Sequence, residues 1–276
     1  MFGNSGDGRG NRDLDREFER GGVDRRENEY GSQNFSGQGG RMAYGEQAGD
    51  MEARSAVYLA KVMGWMCVGL LTTVVAAMAA LTTPIVWNLV FGGGPAFFVI
   101  IGAQFVMVIA LSAGIQKMSP ATATVMFMIY SGLTGLTMSV FVLIYDLSSL
   151  ILAFSVTTFV FLTMSIYGFA TKKDLTSIGR LAFFGLIGII VASLLNMFLG
   201  NPMMDFAITI IGVLVFIGLI AYDTQSIKGI YRHAMAEGYD EYSDEVRKLA
   251  IIGALKLYLD FINLFIMLLR LLGRRR

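Results

Sequence analysis

Two aspartates interrupt runs that otherwise suit a lipid bilayer: Asp223 in Gly-Leu-Ile-Ala-Tyr-Asp-Thr-Gln and Asp260 in Lys-Leu-Tyr-Leu-Asp-Phe-Ile-Asn-Leu-Phe. A charged side chain at the centre of a membrane helix costs about 3 kcal/mol or more, so such residues turn away from lipid and mark proton or ion chemistry. Two carboxylates brought together at low dielectric resist ionising at once. They share a proton and titrate in separated steps. Such a pair is a pH-operated latch, closed while the proton is shared and repelling once it leaves. The ionised pair also attracts a divalent cation. Calcium takes about six to eight oxygens, so Asp223 and Asp260 alone make a weak, transient metal site, better matched to permeation than to storage.

Helical spacing adds to this reading. Lys256, Asp260 and Asn263 fall at i, i+4 and i+7 and share one helix face. A polar stripe on a membrane helix points inward or at water, so Lys256 and Asn263 are candidate latch or pore-lining residues. The bland alternatives stand beside it. Lys256 neutralises Asp260 as a structural i,i+4 pair, or Asp223 is a solvated helix end. If Lys228 and Lys256 snorkel to one boundary, Asp223 and Asp260 lie about 7.5 Å and about 6 Å inside it, at matching depth.

The elements that must position these acids are long apolar segments. The 276 residues are 55% hydrophobic, too apolar for an ordinary soluble domain. A crossing needs about 20 apolar residues. Seven candidates meet that length: Tyr58 to Leu81, Ala96 to Ile115, Ala121 to Tyr145, Leu147 to Phe169, Ile178 to Leu199, Met203 to Tyr222 and Leu249 to Leu272. Strand-type alternation is weak, which argues against a barrel. The fold class expected is an all-α membrane protein, a seven-transmembrane-helix bundle.

Charge placement orients it. With the N-terminus cytoplasmic, the inside loops carry Lys117, Lys172, Lys173, Arg180, Lys228, Arg232, Arg247 and Lys248, while the outside loops carry Asp146 and Asp205. Arg274, Arg275 and Arg276 then finish outside, so the final segment either crosses against that bias or fails to cross. Residues 1–55 hold 11 acidic and 8 basic residues and few apolar ones. They read as a disordered cytoplasmic tail ahead of the transmembrane domain at 56–276. The tail's mixed charge excludes a polybasic nucleic-acid arm, and the chain lacks a signal-peptide pattern. With one cysteine, Cys67, no internal disulfide or thiol-metal cluster forms.

Gly218-Leu-Ile-Ala-Tyr-Asp223-Thr-Gln-Ser-Ile-Lys228, Leu255-Lys-Leu-Tyr-Leu-Asp260-Phe-Ile-Asn-Leu-Phe265 and the hydrophobic layout from residue 56 onward resemble the Bax inhibitor (transmembrane Bax inhibitor motif) family, as a bacterial member. The resemblance implies a bundle with the last helix central. It also implies a pH-sensitive cation (calcium) leak sensed by Asp223 and Asp260. Some members pair one acid with an arginine of the second span. None lies there, and Lys117 at its end is the nearest cation. The segment Tyr231 to Asp244 reads as a loop longer than the family needs. Bacterial relatives are linked to restraining a membrane protease and eukaryotic ones to suppressing cell death.

Together these readings favour a non-enzymatic, pH-gated cation channel without a cofactor, calcium being the permeant ion, in a bacterial inner membrane. Two alternatives stay open: a regulatory membrane protein that binds a protease or other partner, and a proton-coupled small-solute transporter. No phosphate loop, HExxH motif or Ser-His pair points to an enzyme. Weaker signals are the acidic stretch Glu237 to Glu245, capped by Ser243 or Asp244; His233, read as a loop residue; and Gln104, Gln116 and Asn196, which line a polar path or bond between helices.

Overall fold

The structure, a computed structural model, describes residues 49–92 and 94–274. Eight α-helices follow one another: α1 Gly49–Thr82, α2 Pro84–Phe91, α3 Ala96–Gly114, α4 Pro120–Ile144, α5 Leu147–Ala170, α6 Thr176–Leu199, α7 Pro202–Ala236 and α8 Asp244–Leu272. A 3-10 turn, Ile115–Lys117, extends α3. All but α2 are long and apolar enough to cross a membrane, giving seven spans among the described residues. The protein is a multi-pass membrane protein with an all-α bundle. Loops 115–119, 171–175 and 237–243 mark its Lys228 end. Thr83 to Pro95, loops 145–146 and 200–201 and residues 273–274 mark its Asp146 end.

The tail assigned to residues 1–48 lies outside the described residues. Residues 49–55, assigned to that tail as well, are instead the opening turns of α1. Asp50 and Glu52 suit the positive pole of a helix start. The chain divides into two units at Arg54 and Ser55. In the described part of the first, Arg54 Nε pairs with Asp50 Oδ2 at 3.0 Å, one turn apart. The second unit holds everything below.

Most helix limits fall within a few residues of those read from apolar runs. The exceptions are informative. Pro84 does stop α1, but it also opens the short helix α2, where proline suits the first turn. Helix α7 runs 14 residues past Tyr222. Its apolar run ends there, yet Thr224, Ile227, Tyr231 and Ala234 stay buried at helical spacing, an amphipathic continuation. The stop is Gly238, whose φ of +86° suits a residue without Cβ. His233 therefore sits in the last turn of α7, not in a loop. Ser243 caps α8, accepting from Val246 N at 3.4 Å.

Helix α8 is the axis. In its most apolar stretch 61% of residues are buried, against 11–33% in the other spans. It packs against α7, α5 and α4. Tyr258 stands edge-on to Phe127 and Tyr130, and its hydroxyl meets Thr73 Oγ1 at 2.6 Å. Phe261 stands edge-on to Phe154 and Phe161. The final segment crosses in full. At the far end Arg274 N donates to Ser149 Oγ at 2.9 Å, and Asp146 N donates to Arg274 O at 3.3 Å.

Glycines set the closest seams. A Cβ on Gly135 would strike the Thr73 carbonyl, joining α4 to α1, and one on Gly168 would strike the Ala221 carbonyl, joining α5 to α7. Gly188 on α6 faces open space. Gly168→Leu is expected to destabilise the detergent-solubilised protein by about 1–3 kcal/mol, read as a lower melting temperature. Gly188→Leu should leave it unchanged; equal effects would contradict the seam.

Candidate functional site

Asp223 and Asp260 meet between α7 and α8. Asp223 lies 13 residues from the end of α7 and Asp260 16 residues from the start of α8. At 1.5 Å per residue those are about 20 Å and about 24 Å from the same end of the bundle. The two acids therefore sit at similar heights along the bundle. Both side chains are buried, at 9% and 5% exposure. Their carboxyl groups are near enough to act on each other as neighbouring acids. Asp260 Oδ2 is buried with no hydrogen-bond partner among the described residues.

Lys256 completes the cluster across the helices. Its Nζ lies 3.6 Å from Asp223 Oδ1, and its charge acts on Asp260 as well. The pairing is thus interhelical, not the i,i+4 pairing along α8 that spacing alone suggested. The Lys256 side chain is 42% exposed, so the cluster has a polar edge. The other two candidates stay apart. Asn263 Nδ2 donates to Leu259 O of its own helix at 2.8 Å. Lys117 is exposed in the 3-10 turn, and among the described residues no ion pair joins it to either acid.

What holds Asp223 in place is the sequence around it. Ala221 lies backbone-close to Gly168, and the Tyr222 ring covers Gly179 of α6. Thr224 Oγ1 bonds Ser165 Oγ at 3.4 Å. Gln225 reaches into the loop between α5 and α6. Its Oε1 accepts from Leu175 N at 2.9 Å and its Nε2 donates to Lys173 O at 2.8 Å. Lys228 Nζ donates to Phe169 O at 3.0 Å and sits 4.2 Å above the Phe169 ring centre. In the same loop Asp174 Oδ1 accepts from Thr176 Oγ1 at 2.6 Å and Thr176 N at 2.9 Å, bonds that hold its carboxyl below the usual range.

Gln225 and Lys228 are positioning residues that spacing did not single out. The only signal was that polar residues persist just where the apolar run ends. A second interhelical cation–acid contact joins α7 and α8. Arg270 Nη1 of α8 lies 3.6 Å from Asp205 Oδ1 of α7, at the Asp146 end. The remaining polar candidates are ordinary. Gln104 Nε2 donates to Thr137 Oγ1 at 3.1 Å, and Asn196 Oδ1 accepts from Asn201 N at 3.0 Å. His233 pairs with Glu237 at 3.1 Å beside Gln116, in a cavity of about 480 Å³.

The segment that carries both acids and their clamp is matched in full by a family model. That of "Inhibitor of apoptosis-promoting Bax1" covers residues 55–276. The chain belongs to the Bax inhibitor family. Inner membrane protein YbhL of Escherichia coli is 47% identical over 220 residues, covering 79% of this chain and 92% of YbhL. Uncharacterized proteins of Borreliella burgdorferi and Rickettsia prowazekii are each 42% identical over 79% of this chain, covering 92% and 90% of their own lengths.

Two outcomes test this geometry. Gln225→Leu leaves Leu175 N and Lys173 O unpaired, so amide exchange at Leu175 should accelerate, and stability should fall by about 1–3 kcal/mol. Unchanged exchange there would remove Gln225 from the clamp. A double-mutant cycle of Lys256→Met and Asp223→Asn should give a coupling of about 0.5–3 kcal/mol in thermal unfolding. Simple additivity would mean the two charges do not interact.

Proposed function

We propose that this protein is a non-enzymatic, pH-gated cation leak whose gate is the Asp223–Asp260 contact, with calcium as the cation it passes. The observation that carries the reading is two buried, neighbouring carboxyl groups, one with an unpartnered oxygen, inside a membrane-spanning bundle. In acid, one proton is shared between the carboxyls and Lys256 balances the single remaining charge. Loss of that proton leaves two negative charges against one positive. Like charges a few ångströms apart repel strongly where water is scarce. Helix α7 is clamped by Gln225, Lys228 and Gly168, so α8 is the helix that yields.

The ionised pair then draws in a cation. Two carboxylates offer at most about four of the six to eight oxygens that calcium takes, and among the described residues no group of three or more His, Cys, Asp or Glu gathers to hold a metal. The ion keeps part of its water and leaves again, as conduction requires. On entering, it competes with Lys256 for Asp223. The membrane served is a bacterial inner membrane, in keeping with the name of YbhL. The Lys228 end faces the cytoplasm, in keeping with its excess of Lys and Arg.

Calcium entry into proteoliposomes across a pH series tests the reading. Wild-type flux should rise as protons leave. Asp260→Asn removes one like charge and keeps the Lys256–Asp223 pair, so flux should stay low and flat with pH. Asp223→Asn should flatten it as well. A wild-type pH profile in both variants would refute the gate.

A further inference from the structure

Helix α8 is wrapped on most sides, but one flank is reached from the bilayer. A cavity of about 380 Å³ lies between α1 and α5, with the end of α4 beside it and α8 at its floor. Thr73 and Ala77 line the α1 wall, Leu150 and Phe154 the α5 wall, and Phe261 and Phe265 the floor. Its rim residues Val74, Met78, Leu147 and Ile151 are all more than half exposed. Those residues belong to spans, so the opening faces hydrocarbon rather than water.

The lining offers water nothing. The hydroxyl of Thr73 is already committed to Gly69 O, Ser131 O and Tyr258 OH. An apolar cavity of this kind does not retain water. Left empty, it would forfeit dispersion contacts along its whole lining. Something apolar fills it, and its dimensions choose the occupant. Along α1 the lining runs from Leu70 to Leu81, next to the helix end at Thr82. That is about 16 Å of helix, about half of a 30 Å hydrocarbon core. The groove therefore starts at the boundary and ends near the midplane, the path of one lipid tail.

We propose that this groove is a binding site for one acyl chain of a phospholipid from the leaflet at the Asp146 end. The tail lies along Phe265 and points toward Phe261, the residue that follows Asp260. Bilayer composition then acts directly on the central helix, at the level of the paired acids. This site stands whether or not the protein conducts ions.

The full chain, reconstituted with a phosphatidylcholine bearing a photoactivatable diazirine at the tail end, tests it by mass-spectrometric mapping of the cross-links. Phe265, the partly exposed floor aromatic, should be labelled several-fold more than Leu257 and Leu264, which are fully buried on the same helix. Ala77→Trp, which fills the groove, should cut floor labelling several-fold. Labelling of lipid-facing Phe198 on α6, 84% exposed, should persist and so report an intact fold. Leu150→Trp fills the groove from the opposite wall, should it be needed, and is expected to do the same. Equal labelling of Phe265 and Leu264 in the wild type overturns the site. So does floor labelling that survives both tryptophans.

Discussion

Two acidic side chains inside a membrane must be kept from hydrocarbon, and the architecture answers to that constraint. A carboxylate facing lipid at mid-depth would cost about 3 kcal/mol or more. Surrounding α8 with other helices removes that exposure for Asp260, and placing α7 beside it does the same for Asp223. Central placement of one helix is thus more than a packing outcome. It creates the only kind of interior, dry and bounded by protein, in which two carboxyl groups can be neighbours and Lys256 can answer them from the polar edge.

The two helices that carry the acids are held differently. Around Asp223, α7 is fixed by close backbone approach at Gly168, by the Tyr222 ring over Gly179, by Gln225 bonded to the α5–α6 connection and by Lys228 bonded to the end of α5. Around Asp260, α8 is held chiefly by aromatic edges, Tyr258 against Phe127 and Tyr130 and Phe261 against Phe154 and Phe161. A hydrogen bond between Tyr258 and Thr73 and the Lys256–Asp223 pair add polar ties to those edges. Near the far end, Arg270 and Asp205 tie the same two helices again, and backbone bonds of Arg274 dock the chain end.

Legibility was uneven, for identifiable reasons. Transfer energy sums over a whole segment, so long apolar runs declared the seven spans despite uncertain ends. Amphipathic continuations do not carry that signal, which is why α7 seemed to end at Tyr222 and His233 seemed to lie in a loop. Single-helix spacing put Lys256 and Asn263 with Asp260 on one stripe. The structure sends Lys256 across to α7 and Asn263 back to its own backbone, because a long side chain chooses among partners that only packing supplies. Lys117, proposed as a latch by resemblance, lies exposed at a helix end.

By itself the amino-acid order determined that this chain enters a bilayer seven times, that two carboxylates enter with it, and which family it joins. Those properties are local, set by the hydrophobicity of each segment and the chemistry of short motifs. Tertiary structure alone decided that the acids are neighbours, that Lys256 reaches Asp223, that Gln225 and Lys228 brace α7, and that an apolar groove opens onto α8. Each of these depends on distances between helices separated by loops, and side-chain packing across that space is written in no single segment.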